Sequence, residues 1–136
     1  MPPVLSAYEY AIIRVVPRVE RGEFINAGAI LFCRTRRFLG ARIELDAARL
    51  AALAPWLDIA AVERHLALFP RLCAGDAADP IGRLDRAERF RCLVAPSSTI
   101  IQPSPVHTGL CRDPAAELER LLATMVRPPA AAPVRR

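Results

Sequence analysis

The sequence predicts an α+β domain, and two observations carry that prediction. Before residue 46 the apolar residues fall in short β-branched and aromatic runs joined by polar turns. Beyond it they recur at steps of three and four behind aspartates, the pattern of capped amphipathic helices. The expected architecture is a small, mostly antiparallel sheet, three N-terminal strands plus one near 98–102, covered by about four helices.

Tyr8 to Val16 (Tyr-Glu-Tyr-Ala-Ile-Ile-Arg-Val-Val) reads as a strand closed by Pro17, and Pro17 to Gly22 as a charged turn. Ala27 to Arg34 is apolar almost throughout, as a strand covered on both faces should be. After the polar turn Thr35-Arg36-Arg37, Phe38 to Leu45 alternates, with Ala41, Ile43 and Leu45 opposite Arg42 and Glu44. So short a connection predicts an antiparallel hairpin.

Asp46 is placed to cap a helix over Ala47–Ala54, stopped by Pro55. Asp58 begins a longer one with the stripe Ile59, Val62, Leu66, Phe69 and Cys73, which Pro70 should kink or end near its last turn. Gly75 to Gly82 reads as a loop. Asp85 starts a third helix through Leu93, although Phe90–Val94 also suits an extended segment. Thr99–Gln102 looks extended, and Pro103 and Pro105 then permit neither helix nor central strand. Asp113-Pro114 marks the start of a helix to about Val126 with the stripe Leu118, Leu121, Leu122 and Met125. Residues 1–126 are thus expected to form one domain, and 127–136 a disordered tail of Pro, Ala and Arg.

Composition removes several functions. All 19 basic residues are arginine, so Schiff-base, P-loop and general-base lysine chemistry are excluded. A lysine-free, alanine- and arginine-rich chain fits a GC-rich genome, so the choice of arginine is not by itself a sign of phosphate recognition. Residues 1–126 hold 16 Arg against 14 Asp plus Glu, a net of +2, and the other three arginines lie in the tail. The high pI is therefore weak evidence for nucleic-acid binding. Cysteines 33, 73, 92 and 111 make no Cys-x-x-Cys pair, and with two histidines they supply no local metal spacing; no cofactor motif is present. Cys33 and Cys92 sit in apolar runs and are expected to behave as small hydrophobes. No secretory leader and no membrane-length apolar run is found, so a reduced, cytoplasmic setting away from membranes is expected.

Three groups of residues carry candidate chemistry. In the turn 18–28, Glu23 and Asn26 stand at the entry of a buried strand beside Gly28, as one wall of a polar pocket or as partners for loop amides. In the stretch 97–109, Ser97, Ser98, Thr99, Gln102, Ser104, His107 and Thr108 share a proline-stiffened segment suited to ligand or partner contact. His107 is the one candidate base there, but a serine and a histidine three apart are no catalytic set without an orienting acid and oxyanion donors. The third group is arginine. Arg34, Arg36 and Arg37 crowd the hairpin turn, and Arg83, Arg86, Arg89 and Arg91 recur among Asp85 and Glu88, where a solvated, salt-bridged surface is the commoner arrangement. Arg14 stands apart, because it interrupts an apolar strand and needs a partner such as Glu23, Glu44 or backbone carbonyls. His65 flanks its helix's apolar stripe and is read as boundary packing.

Taken together, Tyr8-Glu-Tyr-Ala-Ile-Ile-Arg-Val-Val-Pro17, Gly22-Glu-Phe-Ile-Asn-Ala-Gly28 and Ser104-Pro-Val-His-Thr-Gly109 resemble the bacterial family known as domain of unknown function 3037, over about residues 8–126. The resemblance implies a small bacterial protein and carries over no catalytic residue. Genes of that family often neighbour one for a HipA-like kinase, which implies a partner role. The expected function is accordingly a non-catalytic accessory module that binds a protein partner such as a HipA-like kinase. The alternatives are a small enzyme or ligand-binding protein using His107 with Glu23 or Asn26 opposite, and a weak nucleic-acid binder using Arg34, Arg36, Arg37 and the tail.

Overall fold

A computed structural model describes residues 4–129. The order is β1 (Ser6–Val15), β2 (Ile25–Cys33), β3 (Phe38–Ile43), α1 (Ala47–Leu53), α2 (Ile59–Leu66), α3 (Leu68–Cys73), α4 (Arg86–Leu93), β4 (Ile101–Pro103), β5 (His107–Cys111) and α5 (Pro114–Leu121), the last continued by a π-helical turn, Leu122–Val126. The fold is α+β, as predicted. The five strands make one antiparallel sheet in the order β3-β2-β1-β4, with β5 also paired to β1.

Alternation along β1 sorts the core into two layers. Ala11, Ile13 and Val15 face one side, where they join Ile25, Ala27, Phe32, Leu50, Leu66, Phe69 and Phe90. Tyr8 and Ile12 face the other, with Ala29, Leu31, Cys33, Cys111, Leu118, Leu121, Leu122 and Val126. Helices α1–α4 cover the first face, while α5 and its π turn lie on β2 and β3 of the second. At Ile13 the β1–β2 register slips by one residue, a bulge in β2. Gly28 is needed there, because a Cβ would lie 2.6 Å from the Arg42 carbonyl oxygen on β3.

The side chains of Asp46, Asp58, Asp85 and Asp113 each accept a backbone N–H in the first turn of the helix they precede, as the sequence predicts. Phe90–Val94 belongs to α4 and its cap, which settles the helical alternative. The long helix expected over 58–73 is broken at Ala67, between α2 and α3. Pro70 explains the position: its ring clashes with the carbonyl of the residue four before it, Leu66, where α2 ends. Pro70 then sits in the first turn of α3, where no N–H is required.

Two further differences have physical causes. The strand expected near 98–102 is β4, but the stretch after it, read as a proline-stiffened loop to Gly109, leads into β5; β4 and β5 run along the same edge of β1, their registers offset by one residue at a bulge. At that bulge Pro105 has no N–H to give. Ser104 closes the ladder there: its N–H donates to the Ile12 carbonyl at 2.7 Å, and its Oγ, in place of a backbone carbonyl, accepts the Ile12 N–H at 2.8 Å. Prolines are tolerated because this is an edge strand. On the final helix, the expected stripe ends on Met125, but Val126 is the buried residue and Met125 is 43% exposed. The π turn, closed by Arg127 N–H to Leu122 O at 2.9 Å, adds residues per turn and moves the next one inward.

Cys92, expected to be a small hydrophobe like Cys33, is exposed on α4, whereas Cys33 is buried. His65 is also exposed. Arg127, counted with the tail, pairs with Glu44 and Glu119 at 2.7 and 2.8 Å. The remainder of the expected tail, 130–136, lies outside the described residues.

Candidate functional site

The sheet places Arg14 between two other residues singled out in the sequence. Its neighbour on β2 is Asn26, and its neighbour on β4 is Gln102. The turn before β2 and the stretch 97–109 therefore meet, with β1 between them. All three positions lie toward the end of the sheet face that α5 covers over β2 and β3.

Arg14 is half-buried, and among the described residues no carboxylate pairs with it. Glu23 pairs with Arg21, and Glu44 with Arg42 and Arg127, so neither suggested partner reaches it. Its guanidinium lies 4.2 Å from the centre of the Phe24 ring, a cation–π contact with a residue that is itself 44% exposed. Its Nε is buried without a hydrogen bond. Across the strand, Asn26 donates from Nδ2 to the Met125 carbonyl at 2.9 Å, tying β2 to the π turn, while its Oδ1 is also buried without a partner. One orphan donor and one orphan acceptor thus sit on neighbouring strands.

A groove of about 330 Å³ runs beside this row, lined by Phe24, Asn26, Arg49, Thr124, Met125 and Arg127 among others. Gln102 turns its amide back to the Thr99 carbonyl at 2.8 Å. Ser97 and Thr99 bond each other at 2.8 Å, and Thr99 also holds the Ile101 carbonyl; these residues build the turn leading into β4, with Ser98 exposed on it.

The rest of the candidates are elsewhere. His107 and Thr108 lie on β5 opposite Tyr10 and Glu9, with the imidazole 5.4 Å from the Tyr10 ring. Tyr10 and Arg14 are four residues apart, about 13 Å along a strand. His107 is therefore not opposed by Asn26, and the arrangement imagined for catalysis is not assembled. Ser104 is buried, and its hydroxyl donates to the Pro105 carbonyl at 2.9 Å while accepting from Ile12, so it is occupied in holding the sheet. Glu23 borders a different groove, of about 600 Å³, with Arg18, Leu53 and Trp56. Arg18 lies 4.8 Å from the ring centre of Trp56, which is 56% exposed.

Phe24 and Met125 were not apparent as site residues. Phe24 follows Glu23 in the quoted motif, yet nothing in the sequence says that it stacks on Arg14. Met125 appears outside only because the π turn shifts the helix phase. Burial pushes the Cys73 thiol up to about 12, which leaves it a packed, un-ionised side chain. Among the described residues no group of His, Cys, Asp and Glu is gathered as metal ligands are, and no helix is long and apolar enough to cross a membrane.

Comparison with curated proteins and with solved structures gives no match. The family model described as protein of unknown function (DUF3037) matches residues 10–126, most of the chain and all of the sheet except the first residues of β1. The chain belongs to the DUF3037 family.

Proposed function

We propose that this protein is a non-catalytic accessory module that docks a partner protein on the sheet face around Arg14. One observation carries the reading: the half-buried guanidinium of Arg14, near the end of β1, has no carboxylate partner among the described residues. Taking a cation partly out of water without a counter-charge is unfavourable, and a carboxylate from a partner would remove that penalty. The neighbours suit a protein contact. Phe24 and Met125 supply exposed apolar surface beside the guanidinium. Arginine and aromatic side chains are the commonest residues at the energetic centre of interfaces. The engaged hydroxyl of Ser104 and the distance of His107 from Asn26 favour docking over catalysis.

Family resemblance supplies a partner to test, a HipA-like kinase from the same source. The two proteins are co-expressed and passed over a sizing column at micromolar concentration. A shared peak that is lost with Arg14→Gln and with Phe24→Ala is expected. Separate elution of the unaltered pair would count against the kinase as partner, and a shared peak untouched by both substitutions would count against this face.

A further inference from the structure

We propose that the β2–β3 turn and the start of α4 form a second site, which binds a single phosphate-sized dianion. The site is a shallow surface pocket of about 190 Å³ lined by Phe32, Asp85, Ala87 and the exposed Arg34, Arg37 and Arg86. It lies at the opposite end of β2 from Asn26, so it is separate from the docking face.

Charge is the first observation. Interleaving with Asp85 and Glu88 leads one to expect a salt-bridged surface. Instead, among the described residues, Arg34, Arg37, Arg86 and Arg91 have no carboxylate oxygen within 4.0 Å. Asp85 is engaged as the α4 cap, accepting the Glu88 N–H at 2.9 Å. That bond, and the nearby charges of Arg34 and Arg91, hold its carboxyl below the usual range. Three lining guanidiniums against one carboxylate leave the pocket wall with an excess of two positive charges. Arg89 shows the contrast, since it turns inward to the Leu84 and Cys73 carbonyls and is not part of the wall.

Backbone is the second observation, independent of the first. The turn is closed by Arg37 N–H to Arg34 O at 3.1 Å, and Arg37 then takes φ +51°, the one non-glycine residue with a positive φ among those described. Hairpin turns place glycine or asparagine at such a position. A long charged side chain kept where it strains the chain points to use of that side chain.

Number and size define the ligand. A carboxylate is satisfied by one guanidinium fork, whereas three forks call for the three or four oxygens of a phosphate or phosphoryl group. About 190 Å³ is below the volume of ordinary small-molecule pockets, so the site takes the phosphate and leaves the rest of its bearer outside. Phe32 gives the wall an apolar floor, with Arg34 lying 5.8 Å over its ring. A described body with 17 arginines against 14 acids, a net of only +3, argues for one compact anion rather than a polymer laid along a basic stripe.

Phenyl phosphate is the probe, titrated calorimetrically at constant ionic strength in chloride. Saturable binding with one site is expected, displaced by inorganic phosphate and weakened about tenfold or more by the double variant Arg37→Gly, Arg86→Gln. Neither change threatens folding, since glycine suits the turn and Arg86 is exposed. Arg14→Gln should leave the affinity unchanged, so failure here and failure of the docking face are distinguishable. No saturation in the millimolar range, or an unaltered affinity in the double variant, would overturn the site. A single-stranded oligonucleotide that binds far more tightly than phenyl phosphate, with a steep salt dependence, would overturn the single-dianion assignment in favour of nucleic acid.

Discussion

Ser104 and Asn26 show how a polar residue in a strand-end motif serves the fold. At the bulge Ser104 Oγ accepts the Ile12 N–H in place of a backbone carbonyl, and Asn26 fastens β2 to the last helical turn. Ser104→Ala strands the buried Ile12 N–H and should lower stability by about 1–3 kcal/mol in urea unfolding. A variant as stable as the parent would show that the hydroxyl is not holding the sheet. Arg14 was conspicuous in the sequence because a charge interrupted an apolar run. Its lack of an acid was not legible, since Glu23 and Glu44 were equally plausible partners until the fold gave each its own arginine. Likewise, residue type made Ser104 and His107 look like chemistry, and only the register of β1 showed one bonded to Ile12 and the other beside Tyr10.

The elements that were legible in the sequence are those with a local cause. Four aspartates cap four helix starts, and the apolar hairpin forms where its short turn requires. What was missed depends on neighbours. β5 exists because β1 offers it a partner; the bulge takes up Pro105, while Pro103 pairs with Ile13 on the edge strand. The π turn is equally invisible to a periodicity count, and it makes a prediction opposite to the sequence pattern. Val126→Ala should cost about 1–3 kcal/mol and Met125→Ala under about 0.5 kcal/mol. Comparable losses from the two would argue for an ordinary helical end. The β2–β3 turn carries its own expectation: Arg37→Gly should raise stability by about 0.5–1 kcal/mol, since glycine relieves the positive φ. A thermal midpoint below that of the parent would show that the turn is not strained.

For the whole molecule, one ion-pair group joins the end of β3 to α5 and to the residue after its π turn. Arg127, after the π turn, bonds Glu44 after β3 and Glu119 on α5, and Arg42 meets both acids. The Arg127 bonds hold the carboxyls of Glu44 and Glu119 below their ordinary 4.5. A carboxyl lowered in the folded state adds stability above its unfolded value and loses it as pH falls through the folded one. The midpoint difference between the parent and Arg127→Gln should therefore be full above pH 4.5 and shrink below it. A difference that persists undiminished into strong acid would show that these carboxyls do not contribute. The pairs are partly exposed, so the effect should be small and reduced by salt.

At the same scale, the sheet carries a cation that no described carboxylate neutralises, and the docking face we propose rests on it. The most direct measurement is the equilibrium unfolding of Arg14→Met, which keeps the apolar stem beside Phe24 and removes the charge. If Arg14 is there for a partner, the free protein should gain about 1 kcal/mol from losing it. A loss of about 1 kcal/mol or more would make Arg14 a structural residue and contradict the docking role.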